Sequence, residues 1–68
     1  MPWTADDLSR TQAHIEQARE YIAAQERRID ELNREGSETG NAEELLRALR
    51  QTLTLLVYQK TVIERDLR

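Results

Sequence analysis

The chain has 68 residues, 38% of them hydrophobic and 34% charged, with a formal net charge of −3 and no cysteine. This acidic balance argues against a general affinity for DNA, RNA or anionic membranes, and one histidine without cysteine excludes disulfides and ordinary structural zinc sites. So short a chain is one domain, residues 1–68, in which apolar burial and the cost of ordering the chain nearly cancel. We therefore expect oligomerisation to supply the missing burial.

The first helix is predicted to span about residues 4–35. Thr4 is its expected N-cap, with Asp7 three residues later as in a capping box, and Trp3 is placed to pack on Leu8 as a hydrophobic staple. Gly36 follows the helix at the position where a left-handed backbone conformation commonly ends a helix. Charged residues in this segment are incompatible with a signal peptide, and no apolar stretch reaches the roughly 20 residues of a membrane span, so we expect a cytoplasmic protein.

The second helix is predicted over about residues 41–68, after a turn at 36–40. Asn41 is the preferred N-cap and Thr39 is the alternative. So short a connection predicts an antiparallel two-helix hairpin. With a turn centred near residue 39, residue n of the first helix faces residue 78 minus n of the second, which leaves Trp3 and Leu8 beyond the end of their partner helix.

Apolar residues at heptad spacing predict the seam at which the two helices meet. The first helix repeats large apolar residues every seven positions, and the second alternates steps of three and four that only Lys60 interrupts. Gln25 and Lys60 occupy seam positions and are expected near Leu53 and Ala18. The predicted intramolecular seam comprises Leu8, Ile15, Ile22, Ile29, Leu32, Leu46, Leu49, Leu53, Leu56, Ile63 and Leu67.

The second helix also carries an apolar stripe beside the seam, so that its apolar sector covers half of the helix circumference or more. One neighbouring helix cannot cover that much surface. The pattern predicts that the second helix also packs on a partner, with the first helix at the periphery, and the simplest closed arrangement is a homodimeric four-helix bundle. The predicted dimer or partner interface comprises Trp3, Leu45, Ala48, Thr52, Leu55 and Val62.

No residues are predicted to be catalytic, to bind a cofactor or to bind a metal. His14 lies beside the seam residue Ile15, and the sequence has no second histidine or cysteine to complete a site. Gly36 and Gly40 follow a helix and not a strand, so they are turn residues and not a phosphate-binding loop. The sequence therefore favours a protein that is not an enzyme.

The pattern of the whole chain resembles a family of short bacterial two-helix proteins. That resemblance implies a helical hairpin and no activity. The architecture alone is similar to that of Rop, a family of plasmid copy-number regulators that dimerise into a four-helix bundle and bind paired RNA loops. The RNA-contact face of Rop has no corresponding positions here, so the resemblance implies shape and not RNA binding. The residues that carry the first resemblance are His14, Ile15, Ile22, Gln25, Ile29, Leu32, Gly36, Thr39, Ala42, Leu45, Leu46, Thr52 and Leu53.

These observations predict a non-enzymatic protein-interaction module, a homodimer that acts as an adaptor or small regulator. Two alternatives remain open. The first is an RNA-binding regulatory dimer that uses the arginines near the turn, although the acidic residues beside them cancel much of their field. The second is a hairpin whose second helix docks a different protein. No cofactor, DNA or membrane partner is expected.

Overall fold

The computed structural model describes residues 3–68, which form two helices, α1 (Ala5–Arg34) and α2 (Gly40–Asp66). The prediction of an all-α chain is confirmed for these residues, which contain no strand. Cross-helix hydrogen bonds join residues early in α1 to residues late in α2, so the two helices are antiparallel. The hairpin measures 52 × 15 × 12 Å. Within the described residues no helix is apolar over a length that could cross a membrane.

The start of α1 is fixed by the predicted capping box. The Thr4 backbone N–H donates to Asp7 Oδ2 at 2.8 Å, and the Asp7 backbone N–H donates to Thr4 Oγ1 at 3.2 Å. These bonds satisfy two backbone donors that the helix itself leaves unpaired. The Thr4 N–H and then Arg10, which donates to Asp7 Oδ1 at 2.7 Å, lower the pKa of Asp7 below its ordinary value. Trp3 and Leu8, the predicted staple, are both half-buried.

The end of α1 is fixed by Gly36, as predicted. Its backbone has a φ of 73°, in the left-handed region that costs a residue with a Cβ about 1 kcal/mol or more. The Gly36 N–H donates to the Asn33 carbonyl at 3.2 Å, and the Ser37 N–H donates to the Leu32 carbonyl at 2.9 Å. This pair of bonds is a Schellman motif.

The start of α2 differs from the preferred prediction. Thr39 is the N-cap, and Asn41 lies inside the first turn of the helix. The Thr39 side chain makes no capping hydrogen bond, so the preference of asparagine for caps did not decide the boundary. A cross-helix bond lies at this end instead, because Gln25 Nε2 donates to the Ala42 carbonyl at 3.0 Å. The first turn of α2, which begins at Gly40, contains Ala42, whose carbonyl accepts the bond from Gln25.

The predicted register between the helices is wrong by two to three helical turns at two cross-helix pairs. Gln25 was expected beside Leu53 but bonds to Ala42, and Gln59 Nε2 lies 3.5 Å from Thr11 Oγ1, where the rule places residue 67. Part of the error came from centring the turn near residue 39, because the link between the helices is 35–39 and its centre at 37 moves each pair by four residues, about one turn. In consequence Lys60 lies beside Gln12 and Glu16 and not beside Ala18.

The corrected register removes the predicted overhang of the amino-terminal end. Since Gln59 lies beside Thr11, one further turn of α2 places Ile63 near the level of Leu8. Ile63 has no exposed surface, whereas Leu8 and Trp3 are half-buried. Trp3 and Leu8 therefore lie alongside the last turns of α2, and the overhang gives no reason to assign them to a partner interface.

The core between the helices is narrow. Every residue of the predicted seam is buried or half-buried, but the buried apolar residues of the described chain are only Ile15, Ala18, Leu46 and Ile63. Thr11 is also buried, and its hydroxyl lies within hydrogen-bond reach of Gln59. A two-helix hairpin has no third element to cover the remaining seam residues, which keep part of their surface in solvent.

Candidate interaction surface

The two broad sides of the hairpin differ sharply in charge. On the stripes that immediately precede seam positions, four successive members on α1 and six successive members on α2 carry no Asp, Glu, Lys or Arg, although 34% of the chain is charged. In an antiparallel pair, residues that precede the seam on either helix lie on the same side. We call this surface the uncharged face, and it comprises His14, Gln17, Tyr21 and Ala24 of α1 and Leu45, Ala48, Thr52, Leu55, Gln59 and Val62 of α2.

Contacts across the groove confirm that the stripes of both helices share one side. Tyr21 and Thr52 line the same open hollow of about 370 Å³, with Leu49 and Leu56 of the seam below them. Further toward the turn, Ala24 and Leu45 line a second hollow. The uncharged face thus spans both helices at these two places, and Arg28 and Glu38 border it at the second.

Large apolar side chains stand exposed on the uncharged face. Leu55 exposes 71% of its surface, Tyr21 exposes 54% and Leu45 exposes 50%. The Tyr21 hydroxyl accepts a hydrogen bond from Gln17 Nε2 at 3.2 Å, so the polar end of the ring is partly satisfied within α1. Large exposed apolar side chains on one side, with charged residues at its ends, are typical of a protein-interaction site. The bordering residues are Asp7, Arg10, Arg28 and Glu31 of α1 and Asp66 of α2.

The opposite side of the hairpin is charged. Arg50 Nη2 donates to Glu26 Oε2 at 3.2 Å across the two helices, and both side chains are at least half exposed. Such an exposed pair adds little stability, but its two charges make this side of the hairpin better suited to contact with water than to burial against a partner. It also neutralises one of the arginines near the turn that the RNA alternative requires. The charged side comprises Glu16, Arg19, Glu26, Arg47, Arg50 and Glu64.

The structure places the predicted interface residues in two groups. Leu45, Ala48, Thr52 and Leu55 are exposed outside the intramolecular seam, and Leu55 lies at the outer edge of the uncharged face, where it lines a hollow with Arg47 and Arg50. Val62 belongs to the same stripe but is half-buried. Trp3 is half-buried at the far end of the hairpin and lies outside the face.

Sequence reasoning missed the contribution of α1 to this surface. The first helix was expected at the periphery, yet Gln17, Tyr21 and Ala24 are exposed on the uncharged face. The signal was present, since each of these residues immediately precedes a seam residue, as the members of the α2 stripe do. Their mixed polarity concealed it, because hydrophobic periodicity alone detects only apolar members of a stripe.

Little on the surface suggests chemistry. The His14 side chain is exposed on the uncharged face, and the hollow beside it is lined by Gln17, Tyr21, Thr52 and apolar residues. Across residues 3–68 no three histidine or acidic side chains are placed to hold a metal ion. No family model, no curated protein and no solved structure matches the chain. The uncharged face is therefore the feature of the described residues that bears on function.

Proposed function

We propose that the protein is a non-enzymatic interaction module that works as a homodimer, two hairpins joined through their uncharged faces into a four-helix bundle. The observation that carries the proposal is the uncharged face, where four successive stripe positions of α1 and six of α2 have no formal charge. An isologous interface buries the same patch of both copies, so each charge in it is taken from water twice, and this face has none.

The exposed area of the hairpin supports a second copy as the occupant. The accessible surface is 5266 Å² for a mass of 8.0 kDa. A compact monomer of that mass exposes about 4,450 Å², so the hairpin exposes about 800 Å² in excess. A stable interface of ordinary size buries about 800 Å² on each partner. One further copy of the hairpin is thus enough to cover the excess.

The small core supports the same conclusion from energetics. Four buried apolar residues, one of them an alanine, give little free energy against the ordering of two long helices. Pairing two hairpins would cover Tyr21, Leu45 and Leu55 and close the half-buried seam residues Leu49 and Leu56 from solvent. Folding and association are then one coupled process, and the protein acts as an adaptor or small regulator that presents its outer, charged surfaces to other molecules.

The test is to place one charge on each side of α2. Leu55→Glu puts a carboxylate on the uncharged face, whereas Thr54→Glu adds the same charge to the neighbouring exposed position, toward the charged side. Burial of an unpaired carboxylate costs several kcal/mol, so we expect Leu55→Glu to lose the dimer and much of its helicity. Thr54→Glu should keep both.

Sedimentation equilibrium gives the mass of each variant and circular dichroism its helicity. If Leu55→Glu and Thr54→Glu show the same mass and the same helicity as the parent, then Leu55 faces solvent and the uncharged face is not the interface. A monomeric parent that binds one different protein in stoichiometric amount would favour the alternative in which α2 docks that protein.

A further inference from the structure

The uncharged face also determines how the two copies are oriented. Resting on the proposed homodimer, we infer that α2 packs antiparallel on the α2 of its partner, with Ala48 opposite the partner's Gln59 and Thr52 opposite the partner's Leu55.

The lengths of the uncharged stripes decide which helices meet. On α2 the stripe runs from Leu45 to Val62, about 26 Å, whereas on α1 it runs from His14 to Ala24, about 15 Å. Packing α2 on the partner's α1 would lay a long uncharged stripe over a short one and bring Arg10 or Arg28 over apolar residues of α2. Burying a guanidinium without a partner is unfavourable. Packing α2 on the partner's α2, and α1 on the partner's α1, matches stripes of equal length.

The spacing of the α2 stripe allows an antiparallel copy to fit. Its residues follow one another at intervals of three, four, three, four and three, a pattern that is the same in both directions. A two-fold axis between Thr52 and Leu55, perpendicular to the helices, therefore brings every member of the stripe opposite another member. The third pair in this register is Leu45 with the partner's Val62.

Side-chain size favours this antiparallel register over a parallel one. A parallel copy pairs each residue with itself, so Ala48 would meet alanine and leave a gap while Gln59 would meet glutamine. The antiparallel register places the small Ala48 against the stem of the longer Gln59, whose amide reaches Thr11 of its own hairpin, and the smaller Thr52 against Leu55. Alternation of large and small residues across facing positions is how closely packed interfaces fill space.

Cysteine cross-linking tests the register without interference from native thiols, because the chain has no cysteine. Two single variants are made, Ala48→Cys and Gln59→Cys. In the antiparallel dimer the two copies of residue 48 lie about 16 Å apart along the helices, as do the two copies of residue 59, and a disulfide needs Cα atoms within about 7 Å. We expect oxidation of either variant alone to give no cross-link, and oxidation of their equimolar mixture to give a cross-linked dimer.

The other outcomes each overturn a different statement. Cross-linking of either variant alone would show a parallel arrangement and refute the inference. A dimer that no combination cross-links would refute this pairing of α2 with α2 while leaving the homodimer intact. Monomers throughout, in the parent as in the variants, would refute the proposed function itself. If Gln59→Cys folds poorly because it loses the contact with Thr11, Leu45→Cys and Val62→Cys form the equivalent pair. In the antiparallel dimer the two copies of residue 45, and likewise those of residue 62, lie about 26 Å apart along the helices.

Discussion

Ile63 is the side chain on which the hairpin depends most. It has no exposed surface, unlike every other large apolar residue of the described chain. Ile63→Ala removes three carbon atoms, worth about 2.4 kcal/mol of transfer free energy, and leaves a cavity that raises the loss to about 2–5 kcal/mol. A domain of this length has a total stability of roughly 3–10 kcal/mol, so the substitution takes a large share of it.

A graded series makes this prediction quantitative. Ile63→Val removes one carbon and should cost about 1 kcal/mol, which lowers the melting temperature by about 4–8 °C in a domain of this size. Tyr58→Ala is the control, since Tyr58 lies five residues away with 64% of its surface exposed. Urea unfolding followed by circular dichroism at one protein concentration measures all three variants.

The order of the three midpoints decides the outcome. We expect Tyr58→Ala to lie near the parent, Ile63→Val below it and Ile63→Ala lowest. If Ile63→Ala shifted the midpoint no more than Tyr58→Ala does, Ile63 would not lie in the core, and the register between α1 and α2 that places it there would be wrong.

Three further predictions concern the turn, the amino-terminal cap and α1. Gly36→Ala should destabilise the fold by about 1–2 kcal/mol because Gly36 has a positive φ, whereas Gly40→Ala should stabilise it by roughly 0.4–1 kcal/mol. An added Cβ meets no atom within 4 Å at either position, so the difference comes from the backbone alone. Melting temperatures that shifted in the same direction would refute this explanation. Asp7, whose pKa is lowered by the Thr4 N–H and by Arg10, should stabilise the fold above its ordinary pKa of 3.8 and lose this contribution as the pH falls through the lower folded value. Asp7→Asn should therefore melt below the parent at neutral pH and approach it in acid; a gap that stays constant with pH would contradict the capping interaction. Gln17→Glu places a carboxylate on the uncharged face and should weaken self-association by about tenfold or more. Gln12→Glu places it at an exposed position on the other side of α1 and should have no such effect. Equal dissociation constants for the two variants, measured by sedimentation, would exclude α1 from the interface.

Local features were predictable from the sequence where one short-range interaction decides them. The capping box needs only Thr4 and Asp7, and the Schellman motif needs only a residue at Gly36 that tolerates positive φ. The seam followed from heptad spacing, since burial on a helix repeats with its period. In these cases the physical cause lies within a few residues of the feature.

Features that depend on both helices together were not predictable in the same way. The start of α2 coincides with the contact of Gln25 with Ala42, and the cap preference of Asn41 did not indicate it. A shift in the assumed centre of the turn displaced every cross-helix pair, and with it the position of Trp3. The α1 part of the uncharged face became visible only once Tyr21 and Thr52 were seen to line one hollow.

Self-association through the uncharged face is the central claim, and sedimentation equilibrium of the parent protein tests it most directly. Run at several concentrations with helicity measured on the same samples, it should give twice the chain mass of 8.0 kDa wherever the protein is helical, with monomer appearing only as helicity is lost on dilution. A fully helical species of 8.0 kDa at micromolar concentration would contradict the claim.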